Sequence, residues 1–487
     1  MMRKTDKHAE TLHAGMRFSA DEKAKIAHLA KRLSQDEPAL LTSLDFGERV
    51  QQGVGDGPSL IIGDQAEIAL LSNAVQSRFD YRMAMLAERG DIVLVRQREP
   101  EFERYMTEYL AQVDINFLEA AKRDFRPVAT QCRTSAAIHD QLVRQMESGN
   151  DLTLLPYLTT GNIWRLAQSL GEARGQIAYV NGPSPRLARR VNDKLWFANL
   201  ARSIIGSEAT PPTLAAFGPA GAAGLVVRLA RRSSHVVVKV PDSAGSAGNI
   251  KLDSANLAEL SMNDVRRFLQ ERLQDTGWQG RYPILVGVWE DDVNCSPSVQ
   301  LWVPQLKSGP PIREAIFEQK VQGAEGTFVG AVKSTLPMEL QEKLTHEAVK
   351  IAAVLQRIGY FGRCSLDAVI SSPNGGATSI HWIECNGRWG GVSIPMTAGV
   401  RLMNGKLPEG LVVVQEKRPD LPALSTSQSI SRLAGLLFHR YENHSGIVLL
   451  SPSEANIGRS INFMATAPSQ AEADVLSEEA VQRLRKL

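Results

Sequence analysis

The sequence is poor in the features that mark a specialised chain. Of its 487 residues only four are cysteine: Cys132, Cys295, Cys364 and Cys385. None stands in C-x-x-C spacing and no histidine pair lies at zinc spacing. Neither a disulfide framework nor a structural zinc is expected, and a reducing compartment fits. No apolar run approaches the ~20 residues of a membrane helix. The opening MMRKTDKHAETLHAGMRF lacks the apolar stretch of a secretory signal. Charge of one sign is also missing. Fifty-five basic residues balance 53 acidic ones, for a formal net charge of +2, so neither a nucleic acid nor a membrane surface is expected as a partner. What is present is ordinary for a cytoplasmic globular protein: 43% hydrophobic and 22% charged residues, enough for about two to four domains at ~100–200 residues each.

Along the chain, residues 1–56 read as a partly helical extension ending in GVGDGP. Ser59–Asp64 (SLIIGD) and Asp91–Gln97 (DIVLVRQ) read as strands flanking the helical QAEIALLSNAVQSRFDYRMAML, a βαβ unit with a parallel sheet. Gly63 stands alone rather than in a G-x-G-x-x-G, and reads as a turn glycine. A helical region continues to about 150, and a helix carrying Lys194 follows two further short strands. After ATPPT, short strands alternate with helices in an α+β pattern. The expected divisions are 1–56, 57–184, 185–400 and 401–487. The last is a small α+β segment with a polar helix from about Gln470.

The chemistry concentrates where HWIECNGRWGG (His381–Gly391) ends a strand-like run in a carboxylate, an amide and a guanidinium. The strands CSLDAVI (Cys364–Ile370) and IHWIEC (Ile380–Cys385) flank a turn-rich loop. Pairing Ser371 with Ile380 sets Asp367 opposite Glu384, and side-chain alternation puts Glu384 and Asn386 on one face. Two carboxylates so placed either stand solvated on an edge strand or repel unless a cation lies between them, and hard oxygen ligands suit Mg²⁺. Arg388 then offers a guanidinium to a phosphate or acyl-phosphate oxyanion. In HVVVKVPDSAGSAGNIKL, Lys239 ends a β-branched strand, and the small-residue loop Ser243–Asn249 follows; taken alone it reads as a plain hairpin connection, though such loops can close backbone N–H groups over phosphates. No G-x-x-x-x-G-K-[ST] occurs. Glu290 ends the apolar strand ILVGVWE. Taken alone, it reads as part of a surface acidic loop. His381, Cys364 and Cys385 read as structural.

In order, these elements resemble the ATP-grasp superfamily: Asp193-Lys194, Lys239 with its loop, Glu290, Asp367, and Glu384-Cys385-Asn386. The match covers about 185–400. SPSVQLWV, FEQKVQGAEGTFVG, GYFGRCSLDAV and IECNGRWGGVSIP are further similar to peptide ligases of the pheganomycin-synthesising type. The resemblance implies an ATP-grasp fold behind a Rossmann-like pre-ATP-grasp domain, with a small α+β C-terminal domain. It implies an ADP-forming ligase that joins an amino-acid-like carboxylate to the amine of an amino acid or peptide in specialised metabolite biosynthesis. ATP and two Mg²⁺ ions, replaceable by Mn²⁺, are the implied cofactors. Lys194 and Lys239 would bind phosphates, and Ser243, Gly245, Ser246, Gly248 and Asn249 would form a lid. Glu290 would hold the ribose, and Asp367, Glu384 and Asn386 the metal. Arg388 would act in catalysis with Lys239. The segment 401–487 would close over a peptide acceptor or form a homodimer interface. A small-molecule kinase or a non-catalytic nucleotide-binding scaffold would use the same scaffold differently. The intact acidic set and an arginine in a glycine-rich loop favour the ligase.

Overall fold

The computed structural model describes residues 18–40, 46–68, 80–120, 126–145, 151–241, 248–323, 326–372, 378–418, 420–453 and 460–485. These build three sheets. The first is wholly parallel and contains β1 (Val50–Gln52), β2 (Ser59–Ile62), β3 (Ile92–Val95), β4 (Asn116–Glu119), β5 (Leu152–Pro156) and β6 (Ala178–Val180), in the order β1-β6-β5-β2-β3-β4. Every residue of β2, β3 and β5 is buried, as expected for strands covered on both faces. The strand order reverses between β2 and β5, where such sheets open a crevice. A Cβ on Gly63, just past β2, would lie 2.4 Å from the Asp80 carbonyl oxygen, so close approach, beyond the turn itself, demands glycine there.

Two expectations need correction. The segment 1–56 supplies β1, which pairs with β6, and the stretch read as helical to about 150 contains β4. Both strands are short and lack the alternation that marks a half-buried strand.

The second sheet is antiparallel: β7 (Thr213–Ala216), β8 (His235–Lys239), β9 (Asn249–Asp253) and β10 (Ile284–Val288), in the order β7-β10-β8-β9. Its apolar face is covered by helices Pro219–Ala230 and Met262–Asp275, through Val226, Leu229, Leu269 and Leu273.

The third sheet is built from β11 (Val293–Cys295), β12 (Pro297–Val303), β13 (Ile312–Gln322), β14 (Thr327–Lys333), β15 (Gly362–Ser371), β16 (Ser379–Asn386), β17 (Gly410–Lys417), β18 (Gly446–Leu449) and β19 (Ser460–Ala467). β15 pairs with β11, β12 and β16, and the sheet continues as β12-β13-β14-β17-β19-β18. One face buries Val299, Leu301, Cys364, Leu366, Trp382 and Cys385 against helices Met338–Arg357, Lys194–Ile204 and Ala20–Asp36. Alternation therefore turns Ser298, Gln300, Arg363, Ser365 and Asp367 to the opposite face. The strands after residue 400 extend this same sheet. With helix Gln470–Arg485 they share one apolar core with Tyr81, Phe102 and Tyr105 of the first sheet's helices and with Trp389. Among the described residues no helix is long and apolar enough to cross a membrane.

Candidate functional site

The hairpin β15–β16 sets the site. At its turn end the register is Ser371 with Ser379, not Ser371 with Ile380 as the simplest hairpin predicts. A register shift between Ala368 and Asp367 then makes Ile383 an extra residue, a β-bulge, and beyond it Asp367 stands opposite Glu384 as expected. The bulge matters for orientation. Trp382 and Cys385 both reach the core, while His381, Glu384 and Asn386 share the other face.

On that face Asp367 is heavily engaged. It accepts from Ser298 Oγ at 2.6 Å and from Asn386 Nδ2 at 2.9 Å. Gln300 Nε2 in turn donates to Ser298 Oγ at 2.8 Å. Burial, and then the neighbouring Glu384 carboxylate, raise the Asp367 carboxyl above its ordinary value. Glu384 is shifted the other way. Burial opposes its ionisation, but Lys194 and Arg388 outweigh that and hold its carboxyl below the usual range. Lys194 Nζ lies 3.1 Å from Glu384 Oε2, and only 7% of its side chain is exposed. Its helix starts there because the Asp193 carboxylate caps the amides of Leu195 and Trp196 at 2.8 and 3.0 Å.

Arg388 lies in a glycine-rich loop, and the loop is tied down. Asn192 Oδ1 accepts from the Gly387 amide at 3.1 Å and from Arg388 Nη1 at 2.5 Å. The Trp389 amide donates to the Tyr157 carbonyl at 3.0 Å, the Gly390 amide to Ser393 Oγ at 2.8 Å, and Arg82 Nη2 to the Gly391 carbonyl at 3.0 Å. Tyr157 and Arg82 both belong to the region of the parallel sheet, so that region grips the loop. The Arg363 guanidinium, paired with Glu314, lies 4.7 Å from the Trp389 ring centroid. A Cβ on Gly387 would come within 2.2 Å of Val191 Cγ2.

Lys239 ends β8, with Asn249 as its register partner on β9. Burial, and then the Lys194 charge, lower its ammonium to about 8; Glu384 and Glu290 pull the other way. The four side chains thus lie in one electrostatic neighbourhood. Glu290 Oε1 is hydrogen-bonded to His381 Nδ1, while Glu290 Oε2 and Asn249 Oδ1 are buried with no partner among the described residues. Gly248, with φ +89°, and Asn249 are described; Ser243, Gly245 and Ser246 lie outside the described residues.

Lys194, Lys239, Glu290, Asp367, Glu384, Asn386 and Arg388 therefore converge. Sequence reasoning missed Asn192, Ser298 and Gln300, although the alternating S-x-Q of SPSVQ beside the Asp367 strand was a usable signal. His381, read as structural, shares the face of Glu384 and is hydrogen-bonded to Glu290. No cluster of three His, Cys, Asp or Glu side chains that could hold a metal occurs among the described residues. The donors here are two carboxylates and an amide, which suits Mg²⁺ completed by phosphate oxygens and water rather than a cation caged by protein. Asn386 donates to Asp367, so a metal at this spot would require its amide to turn and present Oδ1.

Comparison with known proteins agrees with this architecture. Residues 80–172 match the family model of the pre-ATP-grasp domain. No curated protein matches the sequence. Among solved structures, the biotin carboxylase domain of Hydrogenobacter thermophilus 2-oxoglutarate carboxylase, bound to Mg-ADP and bicarbonate, is similar at TM-score 0.53 and 14% identity, over 88% of this chain and 90% of that one. An N5-carboxyaminoimidazole ribonucleotide synthetase in complex with ADP is similar at TM-score 0.51 and 13% identity, over 90% of this chain and 98% of that one. The Aspergillus clavatus N5-carboxyaminoimidazole synthase, bound to ADP and 5-aminoimidazole ribonucleotide, gives TM-score 0.51 and 12% identity over 89% and 100%. The chain thus has the ATP-grasp fold, with a pre-ATP-grasp domain ahead of it.

Proposed function

We propose that this protein is an ADP-forming carboxylate–amine ligase of the pheganomycin type, joining an amino-acid-like carboxylate to the amine of an amino acid or peptide. The observation that carries the reading is the shared face of Asp367, Glu384 and Asn386, with Lys194 and Arg388 against it. Two half-buried carboxylates placed opposite each other repel; Lys194 and Arg388 offset that charge on Glu384, and a divalent cation between the carboxylates would do so for both. The solved structures of this fold cited above hold ADP, one of them as its magnesium salt.

Lys194 and Lys239 bind the phosphates of ATP, and Glu290 binds the ribose. Asp367, Glu384 and, once turned, the Asn386 amide oxygen would hold Mg²⁺, which would spread the charge of the moving phosphoryl group. The substrate carboxylate oxygen attacks the γ-phosphorus. The bond to the bridging oxygen breaks and ADP leaves with the electron pair. Arg388, fixed by Asn192, faces the resulting acyl phosphate. The amine nitrogen then attacks the acyl carbon, the C–O bond breaks, inorganic phosphate departs with the electron pair, and the proton lost by the amine leaves with the phosphate or to water. Arg388 stabilises the oxyanion of that step. Arginine suits this role because its fork can follow two oxygens at once.

The test is release of ADP and phosphate from Mg-ATP with amino acids and short peptides offered in pairs, and mass spectrometry of the products. Release that depends on both partners, with a product one water lighter than their sum, is expected. A stable phosphorylated product would instead mark a kinase. Asp367→Ala and Glu384→Ala should abolish turnover, and undiminished ligation by both would sink the metal assignment.

A further inference from the structure

His381 sits three residues before Glu384, and strict alternation would turn it away from the site. The bulge at Ile383 brings it to the same face as Glu384 and Asn386. There its Nδ1 donates to Glu290 Oε1, and each of the two side chains is 17% exposed. The other carboxylate oxygen, Glu290 Oε2, is buried and has no hydrogen-bond partner among the described residues. A buried carboxylate oxygen without a donor carries a desolvation penalty that an incoming hydroxyl would relieve. The backbone beside it is anchored as well, since the Trp289 amide donates to the His235 carbonyl at 3.1 Å. One oxygen is therefore fixed by the protein and the other is held out for a donor.

We infer that His381 is a positioning residue for nucleotide recognition. It clamps Glu290 through Oε1 so that Oε2 meets the ribose hydroxyls, and it joins the sugar contact to the strand that carries the metal ligands. This inference rests on the ribose reading of Glu290 given above. A histidine in this position orients the carboxylate and leaves the chemistry at the phosphate to other groups. Its loss falls on binding of the sugar, and turnover at saturating nucleotide is spared.

The experiment compares ATP with 2′,3′-dideoxy-ATP, by calorimetric affinity and by KM and kcat, in the wild type, His381→Leu and His381→Asn. The asparagine amide nitrogen can take the place of Nδ1. Hydrogen bonds to a charged group contribute about 1.5–3 kcal/mol, so the wild type should prefer ATP by roughly tenfold or more. H381L should weaken ATP binding and leave dideoxy-ATP binding unchanged, bringing the preference to within about threefold of unity, with kcat retained. H381N should restore most of the preference. A wild-type preference that persists in H381L overturns the inference, as does an equal loss for both nucleotides, which would mark a merely structural role. A wild type indifferent to the two nucleotides would overturn the ribose reading of Glu290 itself, and the inference with it.

Discussion

Lys239 illustrates how individual residues in this site are set by their surroundings. Burial and the Lys194 charge lower its ammonium to about 8 in the ligand-free protein. At pH 8 the group is then about half neutral, whereas a bound phosphate favours the charged form. Nucleotide binding near pH 8 should therefore take up a proton, and affinity should fall as pH rises toward 9. Calorimetry in buffers of different ionisation enthalpy reads the uptake directly; binding with no proton uptake at pH 8 would show that Lys239 does not meet the phosphates. Gly387 makes a second residue-scale case. With Val191 Cγ2 only 2.2 Å from its notional Cβ, Gly387→Ala must push the Arg388 loop off Asn192. Overpacking of this kind costs about 1–3 kcal/mol. Ligation should fall at least tenfold with Mg-ATP affinity little changed. At this scale the shared face of Glu384 and Asn386 was legible in advance because the two obey a period of two. His381 was not, because a single extra residue reverses the alternation on its side of the bulge.

Elements show the same division. The β8 strand with Lys239 and the β15–β16 hairpin were readable from β-branched residues, alternation and turn residues. β1 was hidden because Val50–Gln52 offers three residues and no alternation, and only its pairing with β6 makes it a strand. The helix Ala20–Asp36 was read as an appendage. Its apolar face packs through Ile26, Leu29 and Ala30 into the core beneath the β15–β16 hairpin, and Glu22 meets Lys350 and His346 at 2.9 and 2.8 Å. Leu29 is 4% exposed, and a buried Leu→Ala change typically costs about 2–5 kcal/mol. Leu29→Ala should lower the melting temperature by several degrees and, through the shared core, weaken nucleotide binding. A melting curve identical to wild type would return the helix to the status of a tail.

For the whole molecule, the apolar core joining residues 81–110 to Trp389 and the strands beyond 400 had no signature in local sequence, since it depends on contacts between distant segments. Arg82 is its polar counterpart. It is buried, lowered to about 10 by that burial, and it reaches both Gln415 and the Gly391 carbonyl. Arg82→Met keeps much of the volume but releases the Arg388 loop. Small displacements of a catalytic group can cost far more in rate than in binding. Turnover should fall by about tenfold or more while Mg-ATP affinity stays within about threefold; an equal loss of both would indicate general unfolding rather than a loosened loop.

The Lys194–Glu384 ion pair has a consequence for the order of events. While it stands, the residues proposed to bind phosphate and metal occupy each other, so the charge of the site is balanced from within. A lone divalent cation would have to evict an ammonium, and a lone nucleotide would have to take that ammonium from a carboxylate. On the proposed roles, metal and triphosphate arriving together would satisfy both partners in one exchange, and the protein would then be a poor sponge for stray ions and a selective receptor for the metal–nucleotide complex.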